Sequence, residues 1–491
     1  MFITSKRGAK DNIVTYEHIC DTTEDLQKID PHYITLGSTC IVVQGENGGI
    51  DAYIATSDKQ WVPLGGGSGG SSEEDTKKYE NSDIRFIDYD GKVVGGYTTE
   101  EFLQLNKMPK NPNHKNDKIP LTAQGWNWSL ADIKAYMTKY PDAVMTIGQM
   151  YIPTDGKTHM ILDVGVRKTI PLMIQQTISE GVTINWGDGS VEETIEGTGT
   201  VTTSHTYEAE GEYEIALEVA DGCTLDFGGT VDETACNVFG ESSARTYTST
   251  LKKIFIGIRV ISIRQQAFCG CYTLDTLTIP HGITSLGDYA FMACYNLQNL
   301  TLPNSIISCG QRAFRYCNAL NNLALSNGIT SIGQELFNFC YSINSIAIPD
   351  SVTNIGATAF GNCVQIVSLT IPDSVTSIGQ QAFAACYNLR ELTIPDGVTS
   401  IAQYTFVNCN TLTKLTIPET IISIGQQAFG TCEKLYSLII LAETPPTLAN
   451  VNAFANMPSD CTIYVPHGKG DTYKAASGWS KWASQIQELP E

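Results

Sequence analysis

Between residues 251 and 441 the apolar positions recur every 23 residues, a beat that neither a helix nor a strand produces. Eight phenylalanines mark it: Phe268, Phe291, Phe314, Phe337, Phe360, Phe383, Phe406 and Phe429. Counted from each Phe, positions −8, −5, +6, +9 and +11 are filled by Val, Ile or Leu, with Cys309 the one substitute. Position −4 is Gly in six of eight copies, and position +12 is Pro in six of eight, with Ser326 and Leu441 as the exceptions. One such unit cannot bury its own apolar side chains, so units stack and share a continuous core, which predicts a solenoid. The alternation from Leu392 to Pro395 predicts a short strand stopped by a residue that cannot donate to a ladder. The Gly-Gln-Gln-Ala-Phe stretch at 379–383 predicts a short helical or 3₁₀ turn on the other side of the coil. About nine coils at ~4.8 Å each span about 40 Å.

Ahead of the repeats the pattern changes several times. Residues 1–64 alternate at 39–44 and 52–54 around Glu46-Asn47-Gly48-Gly49, which predicts a hairpin in a small β module. Residues 65–79 open on a Gly/Ser run and read as a flexible linker. Residues 80–154 read as mixed α/β. Asp90-Gly91 joins two strands, Thr98 or Thr99 caps a helix through Phe102 and Leu105, and Ser129 caps a second helix that ends before Pro141. Residues 155–247 carry strand-length runs around Trp186-Gly187-Asp188-Gly189-Ser190, His205-Thr206-Tyr207 and Gly211-Glu212-Tyr213. This predicts a β-sandwich with Trp186 in its core and a tight turn at Asp188-Gly189. The repeats proper occupy 248–443. Residues 444–491 break the beat at Pro445-Pro446 and carry Tyr473, Trp479 and Trp482, which predicts a terminal cap with a short helix.

Eight of the fifteen cysteines share the beat, three residues after each Phe: Cys271, Cys294, Cys317, Cys340, Cys363, Cys386, Cys409 and Cys432. With the eight phenylalanines they form the expected structural ladder. A column of thiols does not converge on a point as zinc ligands must, so no metal site is expected, and the thiols read as small buried hydrophobes. A disulfide among the off-phase Cys20, Cys40, Cys223, Cys236, Cys269, Cys309 and Cys461 stays open. The seven histidines are scattered, no nucleotide-binding glycine loop appears, and no catalytic set or cofactor is expected. A net charge of −21 disfavours nucleic acid and anionic membranes as partners. No apolar run follows Met1 and none is long enough to span a bilayer.

Residues 371–394 match the BspA-type (Treponema-type) leucine-rich repeat almost letter for letter: Ile371-Pro372, Val375, Ile378-Gly379, Ala382-Phe383, Cys386, Leu389. The resemblance runs over about 251–441 and implies adhesion or binding. Residues 155–247 resemble the PKD-type immunoglobulin-like domain through the Trp-Gly-Asp-Gly-Ser and His-Thr-Tyr segments. Tyr53-Ile54-Ala55, Trp61-Val62-Pro63-Leu64 and Leu121–Trp128 resemble segments of structural proteins in phages and prophages of gut Firmicutes. Together these resemblances imply a non-enzymatic virion fibre, spike or capsid decoration, assembled in the host cytoplasm and released by lysis. Residues 1–64 would meet capsid or tail proteins, the repeats would meet host glycan or protein, and a homo-oligomer is compatible. The alternative is a bacterial cell-surface adhesin.

The outward positions of the coils supply the candidate binding face. Thr278, Thr301, Thr370, Thr393 and Thr416 form one column, interrupted by Ala324 and Ala347. Tyr272, Tyr295, Tyr341 and Tyr387 form another on the coil side that carries the cysteines. Tyrosine rows make good contact surface, but they can equally shield the ladder, and Thr is favoured on exposed strands by propensity alone.

Overall fold

A computed structural model describes residues 82–228, 250–450 and 452–490, together with Tyr79, Val238, Phe239 and five strands within residues 1–63. These are β1 (Phe2–Arg7), β2 (Val14–Thr22), β3 (Thr39–Gln44), β4 (Asp51–Ala55) and β5 (Trp61–Pro63), paired in sequence order. The expected hairpin is the antiparallel β3–β4 pair, with Thr39 opposite Ile54. The 65–78 linker lies outside the described residues, as do Cys236 and the side chains of Cys20 and Cys40.

Residues 82–154 form an α/β module. Its strands are β6 (Ile84–Ile87), β7 (Val93–Tyr97), β8 (Leu121–Trp126) and β9 (Met145–Pro153), in the order β7-β6-β9-β8. Gly91 turns the β6–β7 hairpin with a positive φ of 83°. Helix α1 (Thr99–Leu103) starts on a capping box between Thr98 and Glu101 and ends before Leu105, short of the expected length. Helix α2 (Leu130–Lys139) is capped by Ser129, as its spacing from Asp132 and Pro141 implies. Phe86, Phe102, Trp126, Ile133 and Met137 close the module core.

Strands β10 (Thr158–Val164), β11 (Thr169–Gln176), β12 (Val182–Asn185), β13 (Glu193–Thr194), β14 (Gly199–Thr206), β15 (Gly211–Val219) and β16 (Leu225–Phe227) follow as two facing sheets. Trp186 is buried between them, and Tyr207 donates its hydroxyl to the Trp186 carbonyl. The Asp188 side chain accepts from Ser190 N and faces His205 Nε2 at 2.7 Å. That partnership occupies the carboxylate. Burial opposes its charge, but Ser190 and His205 outweigh burial and lower the Asp188 pKa to about 2.

Both sheets run on into the solenoid without a break. Residues Leu251–Phe255 pair antiparallel with β10, and Val260–Ile263 pair parallel with β16. One apolar core extends from Met160 to Ile486. The sandwich therefore covers the first coil, which a free solenoid end would expose to water.

The coils are numbered here from Phe268 in coil 1 to Phe454 in coil 9. Each contributes a two- to four-residue strand before its Phe and a three- or four-residue strand after it. The post-Phe strands are Thr276–Thr278, Asn299–Thr301, Asn322–Ala324, Ser345–Ala347, Ser368–Thr370, Glu391–Thr393, Lys414–Ile417, Ser437–Ile440 and Thr462–Val465. The expected helical turn around each Phe is not there. These segments are turns in which the residues two before and two after Phe adopt positive φ, as Gln381 (57°) and Ala385 (58°) do beside Phe383. The reason is a backbone ladder between coils. Gln381, Phe383 and Ala385 donate their N–H groups to Gln403, Thr405 and Val407 of the next coil. A helix would spend those donors within its own segment.

The nine Phe rings stack face to face at 5.2–5.7 Å from Phe268 to Phe454. Trp479 and Trp482 close the stack. They sit on a 3₁₀ segment, Trp479–Gln485, that follows α3 (Gly470–Ala475). A final strand, Ile486–Glu488, extends the sheet beyond coil 9.

Each repeat cysteine from coil 2 to coil 8 donates its thiol to the carbonyl of the preceding coil's Phe, at 3.2–3.6 Å. Burial pushes these thiols up, Cys386 and Cys432 to about 12. Alkylation of the native chain followed by peptide mapping should therefore leave Cys271 through Cys432 unlabelled. Labelling without denaturant at rates typical of free thiols would contradict this packing. Cys223, Cys269, Cys309 and Cys461 are also buried and unbridged.

Candidate functional site

The strand face of the solenoid was expected to be open along its length, and it is not. Strand β9 of the α/β module lies across the post-Phe strands of coils 1 to 4. Thr278 is consequently only 5% exposed, and Thr301 is half-buried beneath Gly148. These two residues leave the candidate binding face. Polar positions on a strand face look the same in sequence whether water or another module covers them.

The contact is specific. Asn127, fully buried, donates through Nδ2 to the carbonyls of Leu302, Ala324 and Leu325 at 3.1–3.4 Å, and its Oδ1 accepts from Gly148 N at 3.0 Å. Trp128 Nε1 donates to Leu325 O at 2.9 Å, and the Tyr136 hydroxyl to Ile348 O at 3.0 Å. At the end of α2, Tyr140 donates to Asp350 and accepts from Asp373 N, while Lys139 pairs with both carboxylates at 3.3 Å. At the coil 3 backbone that Asn127 and Trp128 bind, positions +10 and +12 are Ala324 and Ser326, both fully buried.

Where α2 ends, the strand face opens. A cleft of about 640 Å³ lies between the Lys139–Ala143 segment and the strands of coils 5 and 6. Leu369 and Leu392 form its buried floor, and Thr370 and Thr393 stand on that floor. Thr393 is exposed, and Thr370 and Thr416 are half-exposed, so these three remain on the open face. Arg390, Glu391 and Asp142 are exposed at the walls, and none has an ion-pair partner among the described residues. The volume falls within the ~300–1,000 Å³ usual for small-ligand sites.

The tyrosine column is not an open row either. Tyr341 is buried against Phe339, and Tyr272 stacks on Tyr295 at 5.0 Å, both half-buried like Tyr387. These rings cover the coil edge beside the cysteines. Next to them Glu335 receives Arg312 at 2.6 Å and Arg315 at 2.9 Å. Burial opposes the Glu335 charge, but the two guanidiniums more than offset it and lower its pKa.

A second polar cluster marks the joint between the module and the sandwich. His114 faces Asp88 through Nε2 at 2.8 Å and Asp117 through Nδ1 at 2.6 Å. Tyr89 and Tyr151 pack on the ring, and Tyr89 also reaches Asp117 and Phe255. Burial lowers the His114 pKa, but the two carboxylates outweigh it and the net shift is upward. A raised histidine stabilises below its unfolded value of 6.5 and loses that contribution as pH rises through its folded value. The joint should therefore tighten between about pH 8 and pH 6. Hydrogen exchange of β6 and β8 at the two pH values checks this, and His114→Gln should abolish the difference. Unchanged exchange in the unaltered chain would reject it.

Among the described residues no group of three His, Cys, Asp or Glu side chains is arranged to hold a metal, and no helix is long and apolar enough to cross a membrane. Residues 241–367 and 353–468 match the model of the BspA type leucine rich repeat region, in six copies. No curated protein matches the chain. Among solved structures it is similar to a leucine-rich repeat protein from Bacteroides ovatus, at 20% identity over 48% of this chain and 77% of that one, TM-score 0.32. It is also similar to the T. pallidum leucine rich repeat protein, at 25% identity over 43% and 86%, TM-score 0.31. A leucine rich cell surface protein from Faecalibacterium prausnitzii matches at 23% identity over 48% and 78%, TM-score 0.30. The matched region, residues 241–468, is thus a leucine-rich repeat region of the BspA type, and its described residues from Leu251 on wind as a solenoid of 23-residue coils.

Proposed function

We propose that the chain is a non-enzymatic recognition protein displayed at a bacterial surface, with the solenoid as its binding head. The carrying observation is the strand face beyond coil 4, which among the described residues stays open from Ser368–Thr370 to Ile486–Glu488 on a rigid, continuously packed core. Stacked repeats hold such a surface in shape without ordering it on contact, which lowers the entropic cost of binding. The sandwich, read as a PKD-like domain, anchors the first coil of that head. The net charge of −21 keeps the chain soluble and apart from nucleic acid. Binding of fluorescent chain to epithelial cells and to mucin-coated surfaces tests the reading; no saturable binding to either sinks it.

A phage particle is the second reading for the site of display, favoured by the resemblance of residues 35–64 and 121–128 to phage structural proteins. Mass spectrometry of purified particles and of the cell envelope separates the two. Peptides of this chain at stoichiometric level in particles favour the virion, and their presence only in the envelope favours the adhesin.

A further inference from the structure

We propose that the cleft between the end of α2 and coils 5 and 6 binds a short, uncharged oligosaccharide; this rests on the recognition function proposed above. The cleft is built from two parts of the chain far apart in sequence, and its shape depends on the docked module. Lys139 and Tyr140 are committed to Asp350 and the Asp373 segment, so that wall is fixed before any ligand arrives. The polar groups left uncommitted alternate in kind: Arg390 donates, Glu391 and Asp142 accept, and the hydroxyls of Thr370 and Thr393 do both.

A sugar hydroxyl also donates and accepts at once, so a chain of hydroxyls can satisfy such an alternating wall. A charged ligand meets both signs at close range and loses hydration without a matching gain. An extended peptide is favoured where a strand edge is free. The strand of coil 5 is instead flanked by the strands of coils 4 and 6. The apolar patches of the cleft, Val367 and Pro141, are exposed and small, sized for the C–H face of a pyranose rather than for a large side chain. The volume of about 640 Å³ accommodates two or three sugar units.

Saturation-transfer NMR and calorimetry on the full chain test this with glucose, mannose, galactose and N-acetylglucosamine trisaccharides, sialyllactose, and acidic and basic hexapeptides. The expected result is binding of at least one neutral trisaccharide, weakened tenfold or more by Arg390→Gln and by Glu391→Gln. Glu433→Gln, outside the cleft, should leave it unchanged. All three positions are exposed, so loss of fold does not confound the comparison. No neutral trisaccharide bound at millimolar concentration, binding indifferent to both cleft substitutions, or preference for a peptide or the sialylated sugar would each overturn the proposal. Saturable binding to cells that persists in any of those cases leaves the recognition function standing and removes only the oligosaccharide.

Discussion

Replacing Phe360 by alanine is expected to cost about 3–5 kcal/mol of stability, the range for truncating a buried aromatic ring. The ring is fully buried and stacks at 5.5 Å on both Phe337 and Phe383. Relaxation cannot fill the hole. Phe337 N bonds to Ala359 O and Phe360 N to Ala382 O, so the coil spacing is fixed by backbone on both sides of the cavity. The effect should also be divisive, because coils interact only with their neighbours and a weak interface lets the two halves of the array melt separately. Urea denaturation followed by circular dichroism should show a lower midpoint and a broadened or split transition. Thr393→Ala, on the exposed strand face, should stay within about 0.5 kcal/mol. A loss below about 1 kcal/mol for Phe360→Ala would mean that the rings are not the packed column described.

Gly148→Val should separate the α/β module from the repeats. A Cβ at Gly148 meets the Thr301 side chain, and the adjoining Asn127 Oδ1 to Gly148 N bond leaves the strand no room to shift. Asn127→Leu attacks the same joint chemically, removing the amide that serves three solenoid carbonyls. Leaving buried polar groups unpaired costs about 1–3 kcal/mol each. Either change should raise hydrogen exchange at β9 and speed proteolysis between the module and the sandwich, with the repeat fold intact by circular dichroism. Unchanged exchange in both variants would show that the module does not sit where it is described.

The repeats were legible because their constraint is periodic: every inward position is sampled eight times, and chemistry at one phase must suit a neighbour of the same kind. Caps at Thr98 and Ser129 were legible because they act over three residues. The turn around each Phe was misread because its left-handed residues are Gln381, Tyr404 or Thr358 rather than glycine. Non-glycine residues rarely adopt positive φ, and in the coils it is the ladder between neighbours that enforces it, which no local pattern announces. The docked module was not legible as a contact, although its footprint left traces. Ala324, Ala347 and Ser326 interrupt the Thr and Pro columns, and all three lie under or beside β9 and α2. Breaks in a repeat column are where a second body touches it. The cleft could not be read at all, since Tyr140 and Arg390 are 250 residues apart and meet only through that docking.

The central claim is that recognition runs through the strand face beyond coil 4, with the face of coils 1 to 4 already occupied by the chain itself. Cell- and mucin-binding curves of the full chain carrying either Thr393→Arg with Lys414→Glu on the open strands, or Glu433→Arg with Lys434→Glu beside the cysteine column, test it directly. The account predicts at least tenfold weaker binding for the first pair and no change for the second. Binding that survives the first pair and fails with the second would contradict it.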